Sequence, residues 1–393
     1  MELVASLLAV IASKPGLSRD PHAISMHAVG LLVPFVAAVL FAVLTLLKNR
    51  RLHGRAVAAA VALFVFCALP FADVLQNPIV HLQGDDSFRY STYAHHILAE
   101  RTLWGSDGLL HDARYFVDQP GFRYYLAAVI GLLGGEHRGL QLFNMAILLA
   151  AILWLLRSLA LHLPDRYWTA VAIFVLASAP YAGKNIIFGN TEWFAVAVSM
   201  AATTLLLSRR YAAAVVFLAL MPFVRQNLLV ISLLMAGFTL AQSRRWSLGL
   251  LYVAILLLPL YHNLYYAAEW RFFVVNTGQL VKWTGNLSSD ARLLAEVITS
   301  KLVGYLGYCR GEKLTTMLIA VFFAPLGTVF VAWWFVDRPA ERSWLALAVV
   351  ATVTPTLFFG SLGFPRFEFV NLTVVLLSFA VLTASGSGAV KGD

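Results

Sequence analysis

The sequence predicts an all-α polytopic membrane protein, and three observations lead there. Hydrophobic residues make up 60% of the 393-residue chain and charged residues only 12%, at a mean hydropathy of +0.77, whereas a soluble domain carries about 25% charged residues. Apolar runs of about 17 to 25 residues, the length that crosses a bilayer as a helix, recur along the chain. The basic residues between them fall in short links that can all be placed on one side of a membrane.

The clearest runs are 28–47, 56–76, 139–161, 246–264, 314–336, 343–361 and 368–386, with shorter or polar-edged ones at 167–181, 192–208, 211–223 and 227–242. Together they predict a bundle of about eleven transmembrane helices. Residues 1–27 read as an N-terminal interfacial segment. Met1 to Ala12 is apolar but short, has no basic stretch ahead of it and runs into polar sequence, which does not fit a cleaved signal peptide.

Orientation follows from Lys48-Asn49-Arg50-Arg51-Leu52-His53-Gly54-Arg55, the strongest basic link, which belongs on the cytoplasmic side. If 122–134 also crossed, then Arg209-Arg210, Arg244-Arg245 and the 338–342 link would fall outside, against the rule. Read as a half-length interfacial or re-entrant segment, 122–134 restores agreement. The links at 48–55, 157–166, 209–210, 244–245 and 338–342, with Lys391, then lie inside. That side holds thirteen Lys and Arg against Asp165, Asp337, Glu341 and Asp393, leaving sixteen charges of each sign outside. The net charge of +9 and pI near 9.6 therefore record orientation. A nucleic-acid partner would need basic residues gathered on one domain face, and these are scattered in ones and twos.

Cys67 and Cys309 are the only cysteines, which excludes a disulfide framework, and neither sits in a metal-ligand spacing. No internal repeat or linker divides residues 1–393, so the chain reads as a single membrane domain. Two long loops remain on the exoplasmic side, 77–138 and 265–313. The first opens with Asp85-Asp86 and continues into a helix-like stretch, 87–101, with Phe88, Tyr93, Ile97 and Leu98 at helical spacing. It reads as an amphipathic helix on the bilayer surface. The second mixes aromatic residues and cations, among them Trp270, Arg271, Trp283, Arg292 and Tyr305, a surface suited to sugar rings and phosphates or to anionic lipid.

Adjacent carboxylates just past an apolar run are candidates for proton transfer at a membrane surface. Their side chains cannot point alike, so Asp86, ahead of Ser87, has a second reading as a helix N-cap. Glu192 either opens the 192–208 helix at the positive end of its dipole or faces the acidic pair as a second carboxylate, orienting an acceptor or binding a metal. Arg225 interrupts the apolar stretch 211–241, and an ionisable residue at membrane depth marks a functional site by default. Lys184 and Arg366 either join it around a phosphate, to which Arg bonds bidentately, or reach for lipid headgroups. His95-His96 point about 100° apart on a helix, a poor arrangement for one metal ion.

These residues resemble the GT-C superfamily of polyprenyl-phosphate-sugar-dependent glycosyltransferases, which includes the protein O-mannosyltransferases and the aminoarabinose transferases of lipid A. The likeness rests on Asp85-Asp86 in the first outward loop and on Gln119-Pro120-Gly121-Phe122-Arg123-Tyr124-Tyr125-Leu126. It extends through Leu132-Leu133-Gly134-Gly135-Glu136, Leu140-Gln141-Leu142-Phe143-Asn144, Phe188-Gly189-Asn190-Thr191-Glu192-Trp193, Phe223-Val224-Arg225-Gln226-Asn227 and Gly363-Phe364-Pro365-Arg366-Phe367-Glu368, covering roughly residues 56–383. The chain departs from that pattern in the extra crossing at 28–47, in Glu192 where Asp is commoner, and in having no large soluble C-terminal domain.

The resemblance implies a GT-C-like bundle with exoplasmic interfacial helices. It implies inverting transfer of a sugar from a polyprenyl-phosphate carrier to a lipid, glycan or protein acceptor, with Asp85 as base. A divalent metal, Mg or Mn, is possible between two carboxylates and a phosphate. The rival class is a transporter or lipid-linked sugar flippase, which would show inverted repeats and midplane ionisable groups. A noncatalytic scaffold of the same architecture would tolerate loss of Asp85.

The topology is testable directly. In a background freed of Cys67 and Cys309, Asp86→Cys is expected to react with an impermeant thiol reagent from outside the membrane and Arg50→Cys only from inside; the opposite pattern overturns the orientation.

Overall fold

The computed structural model describes residues 85–101, 120–134, 137–163, 189–267, 346–352 and 365–386, with a few shorter pieces at 103, 185–186, 288–289, 291–292, 295–296 and 343. Among them there is helix and no strand. The expected spans at 28–47, 56–76, 167–181 and 314–336, the segment 1–27 and most of the two outward loops lie outside the described residues, and 343–361 is described only in part.

Nine helices carry the description: α1 (Asp85–Glu100), α2 (Pro120–Leu133), α3 (His137–His162), α4 (Glu192–Leu207), α5 (Tyr211–Val224), α6 (Leu229–Ser243), α7 (Trp246–Leu256), α8 (Leu258–Ala267) and α9 (Pro365–Gly386). A 3-10 turn, Gln226–Leu228, joins α5 to α6. Among the described residues two stretches, Gly139–His162 and Gln226–Ser243, are long and apolar enough to cross a membrane, with mean hydropathies of 2.1 and 1.3. The expected 246–264 run is divided at Leu257 into α7 and α8. At 14 residues each, α2 and α5 are about 21 Å long, short of a roughly 30 Å hydrocarbon core.

Three-residue and two-residue turns connect α4 to α5 and α6 to α7, so these helices alternate in direction. Helix α4 packs on α3, α5 and α9, and α5 packs on α6 and α7. The ends of α3, α4, α6 and α9 meet the start of α5 at one end of the bundle, where His162, Leu206, Tyr211, Gln242 and Ala384 line a common cavity. Arg209, Arg210, Arg244 and Arg245 lie in the turns at this basic end. The starts of α4, α6 and α9 and the break after α5 lie at the other.

Helices α1 and α2 run side by side over that other end. Tyr90 meets Phe122 edge-on at 5.2 Å, and Phe122 packs in turn against Trp193 and Phe194. The apolar stripe of α1 is Tyr90, Tyr93, Ala94 and Ile97, all buried, while Leu98 is exposed. That stripe packs on α2, so the expected surface helix is part of a helix pair. Gly121 permits the closest approach: a Cβ there would come within 2.8 Å of the Phe223 carbonyl.

The break after α5 has a local cause. Pro222 has no N–H, so the Leu218 carbonyl four residues earlier loses its helical partner. The Ser232 hydroxyl of α6 donates to that carbonyl at 2.6 Å, and its oxygen lies 2.8 Å from the Tyr252 hydroxyl of α7. Three helices are thereby tied at one carbonyl in a buried position, where such a group costs about 1–3 kcal/mol if it loses its bond. Ser232→Ala is expected to destabilise the purified protein by about that amount, read as a lower thermal midpoint in detergent; an unchanged midpoint would show that the freed carbonyl finds another donor.

Candidate functional site

Beneath α1 and α2, Glu192 and Arg225 meet. The Arg225 Nη2 donates to Glu192 Oε1 at 2.8 Å, with the carboxylate side chain 1% exposed and the guanidinium 9%. Each residue owes its position to a break in helical structure. Ahead of α4, Gly189 adopts φ +65°, its N–H bonds the Ile186 carbonyl, and the Asn190 side-chain amide donates to the Asn185 side chain at 3.2 Å. A left-handed residue suits glycine, and the turn it closes delivers Thr191 and Glu192 to the helix start. Arg225 is extended, at φ −142° and ψ 109°, between α5 and the 3-10 turn. Its N–H still bonds the Met221 carbonyl.

Glu192 thus opens α4, as the first of its two readings expects. The carboxylate stands in the first turn of α4, where the helix dipole is positive, and it holds a cation from across the bundle. Beside the pair, Gln226 and Asn227 are buried, and Asn227 Nδ2 donates to Asn371 Oδ1 of α9 at 3.5 Å. Tyr125 donates to Asn144 at 2.5 Å, and Asn144 donates to Gln141 at 3.5 Å. Burial raises the pKa of the Tyr125 phenol, in the half-length α2, so it keeps its proton and remains the donor. An aromatic wall of Phe122, Tyr125, Trp193 and Phe194 closes the side of the site, with Tyr125 stacked on Phe194 at 4.2 Å.

The acidic pair is placed by its backbone. Helix α1 begins at Asp85, five residues and about 7.5 Å before Tyr90, which contacts α2 over the site. Asp86 lies inside the first turn, whereas an N-cap at Asp86 would start the helix at Ser87. Both residues therefore belong to the first turn of α1, at the positive end of its dipole. Arg366 is the second residue of α9, five residues and about 7.5 Å before Asn371, which contacts the 3-10 turn. Lys184 lies outside the described residues. His96 accepts a local role, its Nδ1 3.1 Å from Glu100 Oε1 on the same helix. Among the described residues no three His, Cys, Asp or Glu side chains form a metal cluster.

Arg123 of α2 is a buried cation that received no role from the sequence. It is 1% exposed, with its guanidinium carbon 5.1 Å from the Tyr93 ring centre and 5.8 Å from that of Tyr124. Cation–π contacts of this length hold an arginine away from water. Tyr124 also meets Phe223 and His262 at 5.8 and 5.7 Å, so Arg123 links α1, α2, α5 and α8. A cation inside Pro120-Gly121-Phe122-Arg123-Tyr124-Tyr125, a half-length apolar segment, was the available signal. Asn227 and Asn371, polar residues in apolar runs, carried the same one.

Comparison with family models, curated proteins and solved structures finds no match. The arrangement therefore stands on its own chemistry: a carboxylate–guanidinium pair, amides and aromatic faces under a helix that starts with two acids.

Breaking one partner of a buried pair leaves the other charge uncompensated, at about 3–5 kcal/mol. Glu192→Ala and Arg225→Ala are each expected to destabilise by that order, and the double variant by clearly less than their sum, because it buries no unpaired charge. Thermal denaturation of the three variants in detergent checks this; additive losses would show that the pair carries no coupling.

Proposed function

We propose that the chain is a multi-pass integral-membrane glycosyltransferase with its site on the exoplasmic side, moving a sugar from a polyprenyl-phosphate carrier to a lipid, glycan or protein acceptor. The observation that carries this reading is the buried Glu192–Arg225 pair at a helix break, below a helix that begins with Asp85-Asp86. Membrane embedding draws on the two stretches long and apolar enough to cross and on Leu250, Val253, Leu257, Leu258, Tyr261 and Tyr265, which α7, α8 and their junction expose.

In this reading Asp85 takes the proton from the acceptor hydroxyl or amine as that oxygen or nitrogen attacks the anomeric carbon. The bond to the carrier phosphate breaks, the configuration inverts, and the lipid phosphate leaves with the electron pair. Arg225 faces the departing charge, with Lys184 and Arg366 as further cations. Arginine is the cation suited to bidentate contact with phosphate oxygens, and the bond to Glu192 orients its guanidinium. Asp86 assists at the same helix end.

A divalent Mg or Mn ion would take oxygen ligands from the acidic pair and the phosphate. Glu192 is already engaged with Arg225, which favours the guanidinium as the neutralising group.

A transporter or flippase of lipid-linked sugars is the second reading, because a helix broken at a buried ionisable residue is also a transporter feature. The polar groups gather at one end of the bundle rather than across its middle, which favours the enzyme.

An assay with a polyprenyl-phosphate sugar donor separates the two. Asp85→Asn is expected to keep donor binding and lose transfer by about 10²–10⁴-fold, the usual contribution of a general base. Full transfer by that variant would overturn the catalytic assignment, and donor movement across liposomes without transfer would establish the flippase.

A further inference from the structure

At the basic end, away from the Glu192–Arg225 pair, a cavity of about 250 Å³ opens where α3, α4, α6 and α9 finish and α5 begins. His162, Arg209, Tyr211 and Gln242 supply polar groups to its lining, and Leu207 and Phe238 are part of its apolar wall. None of these residues has a part in the transfer site.

The charge at this end decides what the cavity attracts. Four helix C-termini contribute about −0.5 each and the N-termini of α5 and α7 about +0.5 each. Against these stand the four formal charges of Arg209, Arg210, Arg244 and Arg245, and among the described residues no carboxylate lies at this end. The balance is clearly positive.

Positive φ at arginine recurs in the chain, at Arg101 after α1 as well as at this end. Arg209 has φ +55° and Arg244 φ +54°, left-handed positions that glycine usually fills at helix ends. At the end of α4 the motif is complete, with the Arg209 N–H on the Leu206 carbonyl and the Arg210 N–H on the Leu205 carbonyl. The chain thus sets arginine where the turn favours glycine. A cation also complements a helix C-terminus, but that role involves no cavity.

Exposed apolar groups around the cavity end separate a lipid from a dissolved anion. Trp246 is 84% exposed beside Arg245, and Leu161 is 71% exposed beside His162. Aromatic, aliphatic and basic residues mixed at one level are the composition of a headgroup zone.

We propose that this cavity binds the phosphate headgroup of an anionic membrane lipid, with Arg209 as the main cation, His162, Tyr211 and Gln242 as polar contacts, and the acyl chains leaving along the apolar wall. The site rests on the membrane embedding proposed above and is independent of the transferase chemistry.

Native mass spectrometry of the full chain in detergent, with phosphatidylglycerol and phosphatidylcholine added in equal amounts, tests it. Phosphatidylglycerol adducts are expected to exceed phosphatidylcholine adducts by about fivefold or more, the scale of one basic contact at a membrane surface. Arg209→Gly is expected to remove that preference while the thermal midpoint holds or rises, since glycine suits the backbone there, and Gln242→Trp, which fills the cavity from an exposed position, should do the same. Equal retention of both lipids, or a preference that survives both variants, overturns the site. Displacement of the lipid by millimolar inorganic phosphate makes it a site for free anions and overturns the lipid assignment. A chain that stays in solution without detergent and carries no lipid overturns the membrane embedding and this site with it.

Discussion

The Glu192–Arg225 ion pair is the constraint on which the rest of the structure depends. Two ions removed from water cost several kcal/mol each, and only close geometry with further polar contacts offsets that cost. At 2.8 Å and nearly full burial, the pair holds together only if the start of α4 and the break after α5 stay at fixed positions. Every neighbouring feature serves that requirement: the Gly189 turn sets one partner, and Pro222 with the extended Arg225 sets the other.

The same constraint explains why α5 and α6 are two helices. A continuous helix from Tyr211 to Ser243 would carry the Arg225 side chain at an ordinary helical position and bury the Gln226 and Asn227 amides without the 3-10 turn that aims them. Pro222 removes a helical bond, Ser232 takes over the freed carbonyl and itself meets Tyr252, and α5 ends two residues later at Val224. The polar groups then lie at one end of an apolar bundle, under the aromatic contacts that α1 and α2 bring over it. The function proposed above sets the phosphate beside this pair and the acceptor at the acidic start of α1.

The two ends of the bundle differ for a physical reason. Short turns between antiparallel helices send all the odd junctions to one side, so the Arg209-Arg210 and Arg244-Arg245 pairs share an end without touching the polar recess. One end is thereby positive and amphipathic, the other polar and enclosed. A single chain gains two chemically distinct surfaces from its alternation of direction alone.

Much of this was legible in the residues. Apolar period and length located α3, α4, α5, α6 and α9 within a few residues, because burying an apolar run in a helix satisfies its backbone wherever it packs. Arg225 and Glu192 each stood out as charges in apolar surroundings. Sequence could not pair them, since 33 positions separate them and only the packing of α4 on α5 brings them together. Nor could it assign Arg123, whose two tyrosine partners come from its own helix and from α1. The α1 stripe facing α2 was likewise decided by tertiary contacts. The sequence alone determined that the chain is helical and apolar and where its charges lie along it. Only the tertiary structure decided which charges meet, because a buried ion pair is set by helix direction and depth rather than by spacing along the chain.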